Sequence, residues 1–115
     1  MDNKWKIIYY VSPLGKNPIK DFIDSLENKQ QVKILRLFQL IQEFGLSAVG
    51  SHLKKLSGTP FWEIRILGQD NIRAIYVIIV KNSILILNCF IKKENKTPPK
   101  EISLALSRYK DWLDK

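Results

Sequence analysis

Apolar residues recur with two different spacings along the chain, and its first part combines both. Apolar and polar side chains alternate over residues 5–11, which predicts a strand. Asn17 and Pro18 mark a helix start, because asparagine caps free backbone amides and proline is tolerated in the first turn. Two apolar stripes at helical spacing follow, formed by Ile19, Phe22, Ile23 and Leu26 and then by Ile34, Leu37, Phe38, Ile41 and Phe44. A short polar connection between them predicts an antiparallel helix hairpin that ends at Gly45.

The second half of the chain has the period of two that is typical of strands. Residues 52–56 predict a short strand and residues 61–67 a clearer one, followed by a hairpin turn. Residues 72–80 are apolar on both faces apart from Arg73 and predict a central strand, which a tight turn joins to its partner at residues 83–91. Thr97 and Pro98 then begin a final helix. The order predicts an α+β sandwich over residues 1–115: an N-terminal strand, a helix hairpin, an antiparallel meander and a C-terminal helix, with the helices on one face of the sheet.

The composition indicates a single, strongly basic domain. Hydrophobic residues make up 45% of the 115 residues, enough for one core, and the formal net charge is +8 with a pI of about 9.7. Such a protein is expected to meet phosphates, an acidic protein or an anionic membrane. No segment resembles a signal peptide or a membrane span, so we expect a cytoplasmic protein without membrane contact. The chain has one cysteine, Cys89, and one histidine, His52, which predicts no disulfide, no metal site and no cofactor.

Isolated cations within the apolar strands predict a functional surface. If the two hairpin turns of the meander are short, Arg73 lies between Arg65 and Phe90 on one face of the sheet. Lys92 is then a diagonal neighbour of Arg73, and Lys93 lies at the edge of this patch. The patch fits a phosphate, because the planar guanidinium offers a fork of donors and stays charged. Phe90 beside it would stack on an unpaired base, with a place in the core as the alternative for a phenylalanine in a strand.

A simpler interpretation of the same residues is a surface salt bridge. Glu63 is expected on the same face as Arg65, where it would offset the repulsion between two neighbouring arginines. An exposed ion pair of this kind contributes about 0–1 kcal/mol to stability, and charged strand edges also discourage aggregation. The pattern leaves both interpretations open.

An ordered set of short motifs resembles a known toxin family. In chain order these motifs are Leu53-Lys54-Lys55-Leu56, Phe61-Trp62-Glu63-Ile64-Arg65, Ile72-Arg73-Ala74-Ile75-Tyr76, Phe90-Ile91-Lys92-Lys93 and Thr97-Pro98-Pro99-Lys100-Glu101-Ile102. Nearly the whole chain is similar to the phage-derived Gp49-like branch of the HigB toxins, within the RelE/ParE superfamily. The resemblance implies a RelE-like fold and the toxin of a type II toxin–antitoxin pair that cleaves mRNA, usually on the ribosome, without a metal ion. It also implies a helix-turn-helix antitoxin, similar to HigA, that neutralises the toxin by direct binding.

The resemblance also assigns roles to individual residues. Arg65 and Arg73 match phosphate-contacting basic residues of the family, and Lys93 matches a further basic position after the last strand. The catalytic set that we expect on this basis is Arg65, Arg73, Lys92 and Lys93. The RNA-binding set that we expect is Lys54, Lys55, Phe90 and Lys96.

The proton-transfer groups are where the chain departs from that family. Some RelE-like toxins use a histidine or tyrosine near the C-terminal end, but no histidine follows His52, and Tyr109 lies on the apolar stripe of the last helix. A lysine surrounded by other cations, Lys92 or Lys93, is one candidate for the base. His52 and Glu94 are the others, and each has a surface or packing role as its alternative.

Two further functions fit the same sequence. In the ParE branch, the same fold binds a protein target such as DNA gyrase and cleaves nothing. An inactive domain that binds only its protein partner is the third possibility. The basic residues around the arginines favour RNA, and a metal-free mechanism would use the substrate's own 2′-hydroxyl as the nucleophile, leaving a 2′,3′-cyclic phosphate and a 5′-hydroxyl.

Overall fold

A mixed five-stranded sheet forms the centre of the fold. The computed structural model describes residues 4–66, 68, 71–93 and 95–115. The strands are β1 Lys6–Tyr9, β2 Leu53–Lys55, β3 Trp62–Ile66, β4 Ile72–Val80 and β5 Ser83–Ile91. Their order across the sheet is β1-β5-β4-β3-β2; β1 is parallel to β5, and the other neighbours are antiparallel. The α+β class, the N-terminal strand and the antiparallel meander are thus confirmed.

Helices precede and follow the meander. They are α1 Pro18–Asp24, α2 Asn28–Phe44 and α3 Pro99–Leu113. Asn17 begins α1 as predicted, because its side-chain oxygen accepts a hydrogen bond from the Lys20 amide at 3.0 Å. Gly45 ends α2 at a φ of 86°, and a 3-10 segment, Leu46–His52, leads from there into β2. Within the described parts of the chain, no helix is long and apolar enough to cross a membrane.

The strand ends differ slightly from those that the pattern predicts. The first strand is shorter than residues 5–11, and the second begins only at Leu53 because His52 still belongs to the 3-10 segment. Residue 67, the predicted end of β3, and residues 69 and 70 of the predicted turn lie outside the described residues. The tight turn between β4 and β5 is confirmed, since Val80 pairs with Ser83.

Helices cover both faces of the sheet, so the prediction that they lie on one face is wrong. One apolar cluster contains Ile34 of α2 together with Ile64 of β3. A second cluster contains Ala105 of α3 together with Phe61 and Ile75 on the opposite face. Most of β4 and β5 is therefore buried on both faces, which explains why these strands are apolar almost throughout.

Polar contacts fix α3 on the second face. The register between β4 and β5 shifts and leaves Leu87 without a partner in the ladder. Its carbonyl accepts a hydrogen bond from Arg108 at 2.8 Å. The side-chain amide of Asn88, which is 4% exposed, donates to both the carbonyl and the carboxylate of Glu101 at 3.1 Å. These contacts set the position of the helix start, and with it the segment that leads into α3.

Candidate nucleic-acid interface

Arg65 of β3 and Arg73 of β4 lie directly opposite each other in the sheet. Phe90 of β5 continues this row on the other side of Arg73. Ile75, two residues from Arg73, belongs to the cluster under α3, so the row faces that helix. Both predicted registers are confirmed, although the pairing of β4 with β5 contains two irregularities that compensate for each other. The sheet thus brings two guanidinium groups together on adjacent strands.

A fully buried carboxylate lies beside the arginine pair. Glu63 is 0% exposed, and its Oε1 lies 3.5 Å from Nε of Arg73, its diagonal neighbour across the strands. Its Oε2 accepts a hydrogen bond from the Thr97 hydroxyl at 2.5 Å. The expectation of a surface ion pair is therefore wrong, because α3 and the segment before it cover this face. Breaking a buried pair from one side costs about 3–5 kcal/mol, far more than breaking an exposed one.

Burial also determines the electrostatics of Arg73, which is 9% exposed. Burial lowers the pKa of its guanidinium, the Glu63 carboxylate partly reverses that effect, and Arg65 lowers the pKa again. Because arginine titrates so far above neutral pH, the group stays charged. An anion near the two arginines would offset their mutual repulsion, as the Glu63 carboxylate already does in part.

Two donors in the site make no hydrogen bond to any described part of the protein. These are Nε of Arg65 and Nε of Arg73, and Oε1 of Glu63 is likewise buried without a hydrogen bond. Arg73 donates instead from Nη1 to the Ile72 carbonyl at 3.1 Å. Leaving a buried donor unsatisfied costs about 1–3 kcal/mol. Nε of Arg73 faces the Glu63 carboxylate at ion-pair distance, and both Nε atoms are buried, so a phosphate would be bound through the other nitrogens of the guanidinium groups.

The 3-10 segment before β2 anchors Arg65. Nη2 of Arg65 donates to the Ser51 carbonyl at 3.1 Å. Nδ1 of the half-buried His52 lies 2.9 Å from the Arg65 carbonyl. Since a carbonyl only accepts, Nδ1 carries the hydrogen, and Nε2 of the neutral ring keeps its lone pair. The contact between His52 and Arg65 was not predicted, although extending the Leu53–Ile64 pairing by one residue places the two opposite each other.

The lysines at the start of the meander lie on different faces. Lys54 is exposed and lies opposite Glu63, on the arginine face. Lys55 is turned to the other face, where its ammonium donates to the carbonyls of Leu56 and Thr59. Lys55 thereby closes the turn after β2, and the structure does not bring it to the arginine pair.

Phe90 is a core residue, so the predicted stacking on a base is wrong. It is 6% exposed and belongs to the cluster that also contains Phe61 and Ala105. A ring this buried presents no face to a nucleotide. Tyr109 is likewise a packing residue, because its ring meets that of Phe61 edge-on with centroids 5.7 Å apart.

The remaining predicted cations lie between β5 and α3. Lys92 is half-buried, and its amide donates to the Asn71 carbonyl at 2.8 Å, which places it beside the first residues of β4. Lys93 and Lys96 are exposed. Glu94, one of the candidate bases, lies outside the described residues.

The arrangement offers cations rather than metal ligands. Among the residues that the structure describes, no group of three or more His, Cys, Asp or Glu is placed to hold a metal ion. Burial raises the pKa of the Cys89 thiol to about 12, so it is not a nucleophile at neutral pH. What the arrangement offers chemically is positive charge for an anion, with the half-buried Arg65 more accessible than the buried Arg73.

Comparison with known proteins places the whole site within one family. The family model for phage-derived Gp49-like proteins matches residues 21–110, from within α1 to within α3. The match includes both arginines, Glu63 and the segment before α3. A comparison with curated proteins finds no match. Since the family model covers well over half of the chain, this protein belongs to the Gp49-like family of phage-derived proteins.

Proposed function

We propose that this protein is the toxin of a type II toxin–antitoxin pair and that it cleaves mRNA on the ribosome without a metal ion. The observation that carries the proposal is the pair of guanidinium groups of Arg65 and Arg73 on adjacent strands, in a chain of net charge +8. Membership of a phage-derived, toxin-like family supports the toxin assignment.

In the proposed reaction, the 2′-hydroxyl of the substrate attacks the adjacent phosphorus and expels the 5′-oxygen of the next nucleotide. A base takes the 2′-hydroxyl proton, and an acid donates a proton to the leaving oxygen. The products are a 2′,3′-cyclic phosphate and a 5′-hydroxyl. Arg65 and Arg73 stabilise the negative charge that develops on the phosphate oxygens. Removing one such contact commonly slows a reaction about 100–1000-fold.

Side chains around the arginine pair supply the candidates for proton transfer. Lys92 lies beside the start of β4, and Lys93 follows it on the exposed side. His52 contacts the Arg65 carbonyl through Nδ1, which leaves Nε2 of the neutral ring able to accept a proton. The proposal places the base among these three, and Lys54 and Lys96 at the flanking phosphates.

The proposed partners follow from the same assignment. The substrate is mRNA on the ribosome, which places the protein in the cytoplasm. A helix-turn-helix antitoxin, similar to HigA, would neutralise the toxin by direct binding, and the net charge of +8 favours an acidic contact surface on that partner.

Induced expression with primer extension on cellular mRNA tests the proposal. The wild-type protein is expected to arrest growth and to create new 5′ ends within translated mRNAs. Arg65→Ala should abolish these ends at equal abundance. Lys110→Ala, which removes one exposed cation from α3, should leave them unchanged. Growth arrest with intact mRNA and inhibited DNA gyrase would overturn the proposal and assign a ParE-like function.

A further inference from the structure

We propose that Glu63 and Thr97 form a latch that holds the lysines before α3 over the arginine pair, so that both are positioning residues for RNA binding. This inference rests on the proposed function and adds to it a contact that positions the RNA-binding lysines. We name residues 92–93 and 95–97 the basic segment. Its cations are Lys92, Lys93 and Lys96.

The path of the basic segment follows from the order of the strands. It leaves β5 at Lys92, whose amide is bonded to Asn71 beside β4. It reaches β3 at Thr97, whose hydroxyl donates to Glu63 at 2.5 Å. Because β4 lies between β5 and β3, Lys92 and Thr97 lie on the two sides of the end of β4 that carries Arg73. Neighbouring strands are about 4.8 Å apart, so β5 and β3 are about 10 Å apart.

Glu63 lies where the basic segment and the arginine pair meet. One carboxylate oxygen is at ion-pair distance from Arg73, and the other accepts from Thr97. The carboxylate is 0% exposed, and its desolvation costs several kcal/mol. A buried ion pair is no more stabilising than well-packed apolar residues of similar volume, so stability alone does not account for a carboxylate here. Its two contacts do account for the carboxylate, since one holds the Arg73 guanidinium in the sheet and the other holds Thr97 of the basic segment next to it.

The latch determines how close the exposed Lys93 and Lys96 stay to the arginine pair. With Thr97 bonded to Glu63, Lys93 and Lys96 belong to a short strap fixed at both ends. Without the hydroxyl, the segment remains attached to β5 and α3, but Thr97 is no longer bonded to Glu63 of the sheet. The lysines would then contribute less to the neutralisation of an RNA backbone that runs across Arg65 and Arg73.

Binding of a labelled single-stranded RNA across a salt series tests the latch. The binding constant K falls as salt rises, and each lost phosphate contact lowers the steepness of this fall on a log–log plot, the salt slope, by about 0.7. Lys93→Ala with Lys96→Ala should therefore lower the slope by about 1.4. Thr97→Val, which removes the hydroxyl but keeps the shape of the side chain, should lower the slope by a comparable amount. Thr97→Ser, which keeps the hydroxyl, should retain the wild-type slope.

The triple variant measures whether the latch and the lysines act through each other. If they do, adding Thr97→Val to the double lysine variant lowers the slope no further, which is a non-additive result.

A wild-type slope for Thr97→Val, with or without a lower melting temperature, overturns the latch while the effect of the lysines upholds RNA binding. Additive effects in the triple variant also overturn it. If the wild-type protein binds no RNA, the proposed function fails and the latch fails with it. Thr97→Ala is the second variant should Thr97→Val not fold.

Discussion

Truncation of Arg73 to alanine tests how stability and activity are coupled at the arginine pair. The change removes the ion-pair partner of the Glu63 carboxylate, which is 0% exposed, and leaves it with the hydrogen bond from the Thr97 hydroxyl. Removing one member of a buried ion pair costs about 3–5 kcal/mol. A domain of this size has a free energy of unfolding of about 5–15 kcal/mol, so Arg73→Ala should lose a large part of it. Loss of toxicity in this variant alone would therefore not separate chemistry from folding.

A compensating substitution separates the two effects. Glu63→Gln combined with Arg73→Ala removes both charges, and the glutamine oxygen can still accept from Thr97. We expect the double variant to recover about 2–3 kcal/mol of the lost free energy of unfolding, because neighbouring sites in one ion pair are non-additive. It should remain inactive, since the lost charge contact slows the reaction about 100–1000-fold.

Urea denaturation followed by tryptophan fluorescence gives the free energies, and cleavage of ribosome-bound mRNA gives the rates. Arg36→Ala, which removes an exposed arginine from α2, is the matched control and should change neither quantity. Wild-type stability of the Arg73→Ala variant would refute the role of the buried pair. Wild-type cleavage by the double variant would refute the role of Arg73 in the reaction.

Three further predictions concern the packing that supports the site. Burial raises the pKa of the Cys89 thiol from 9.0 to about 12, so the native protein should resist a thiol reagent at pH 8, and rapid labelling would contradict this. The free energy of unfolding should fall as pH rises from about 9 towards 12, because the thiol of the unfolded chain ionises first. Tyr10→Phe removes the hydroxyl that donates to Asp111 at 2.7 Å and should lower the free energy of unfolding by about 1 kcal/mol in urea denaturation, whereas no change would show that the bond contributes nothing. Gly45→Ala should cost about 1–3 kcal/mol, because φ is 86° and the new Cβ would lie 2.8 Å from the Trp5 indole nitrogen; an unchanged melting temperature would contradict that strain.

The strand pairing at the site was predictable from the sequence because short hairpin turns determine register. Arg65, Arg73 and Phe90 lie in one row as the turns indicate. The prediction for the second hairpin holds because the two irregularities in the ladder cancel before Arg73 is reached. A single bulge would have moved Arg73 to a different partner, and nothing in the residue pattern distinguishes one bulge from two.

The burial of the row formed by Arg65, Arg73 and Phe90 was not predictable in the same way. Periodicity shows that a strand face is buried, but it does not show which helix covers it. Without the position of α3, the pattern places Glu63 at the surface and allows Phe90 either a stacking or a core role, and the structure buries both. The contact from Thr97 to Glu63 spans 34 residues, so it depends on the path between β5 and α3 and on no local pattern.

The chemical ends of the RNA products are the most direct test of the proposed cleavage reaction. Purified protein is incubated with ribosomes that carry a defined mRNA, and the termini of the fragments are analysed by mass spectrometry and by ligation. We expect a 2′,3′-cyclic phosphate or its 3′-phosphate opening product together with a 5′-hydroxyl, and no cleavage when the target nucleotide carries a 2′-deoxy sugar. Fragments with a 5′-phosphate, or cleavage of the 2′-deoxy substrate, would contradict attack by the 2′-hydroxyl and the role assigned to Arg65 and Arg73.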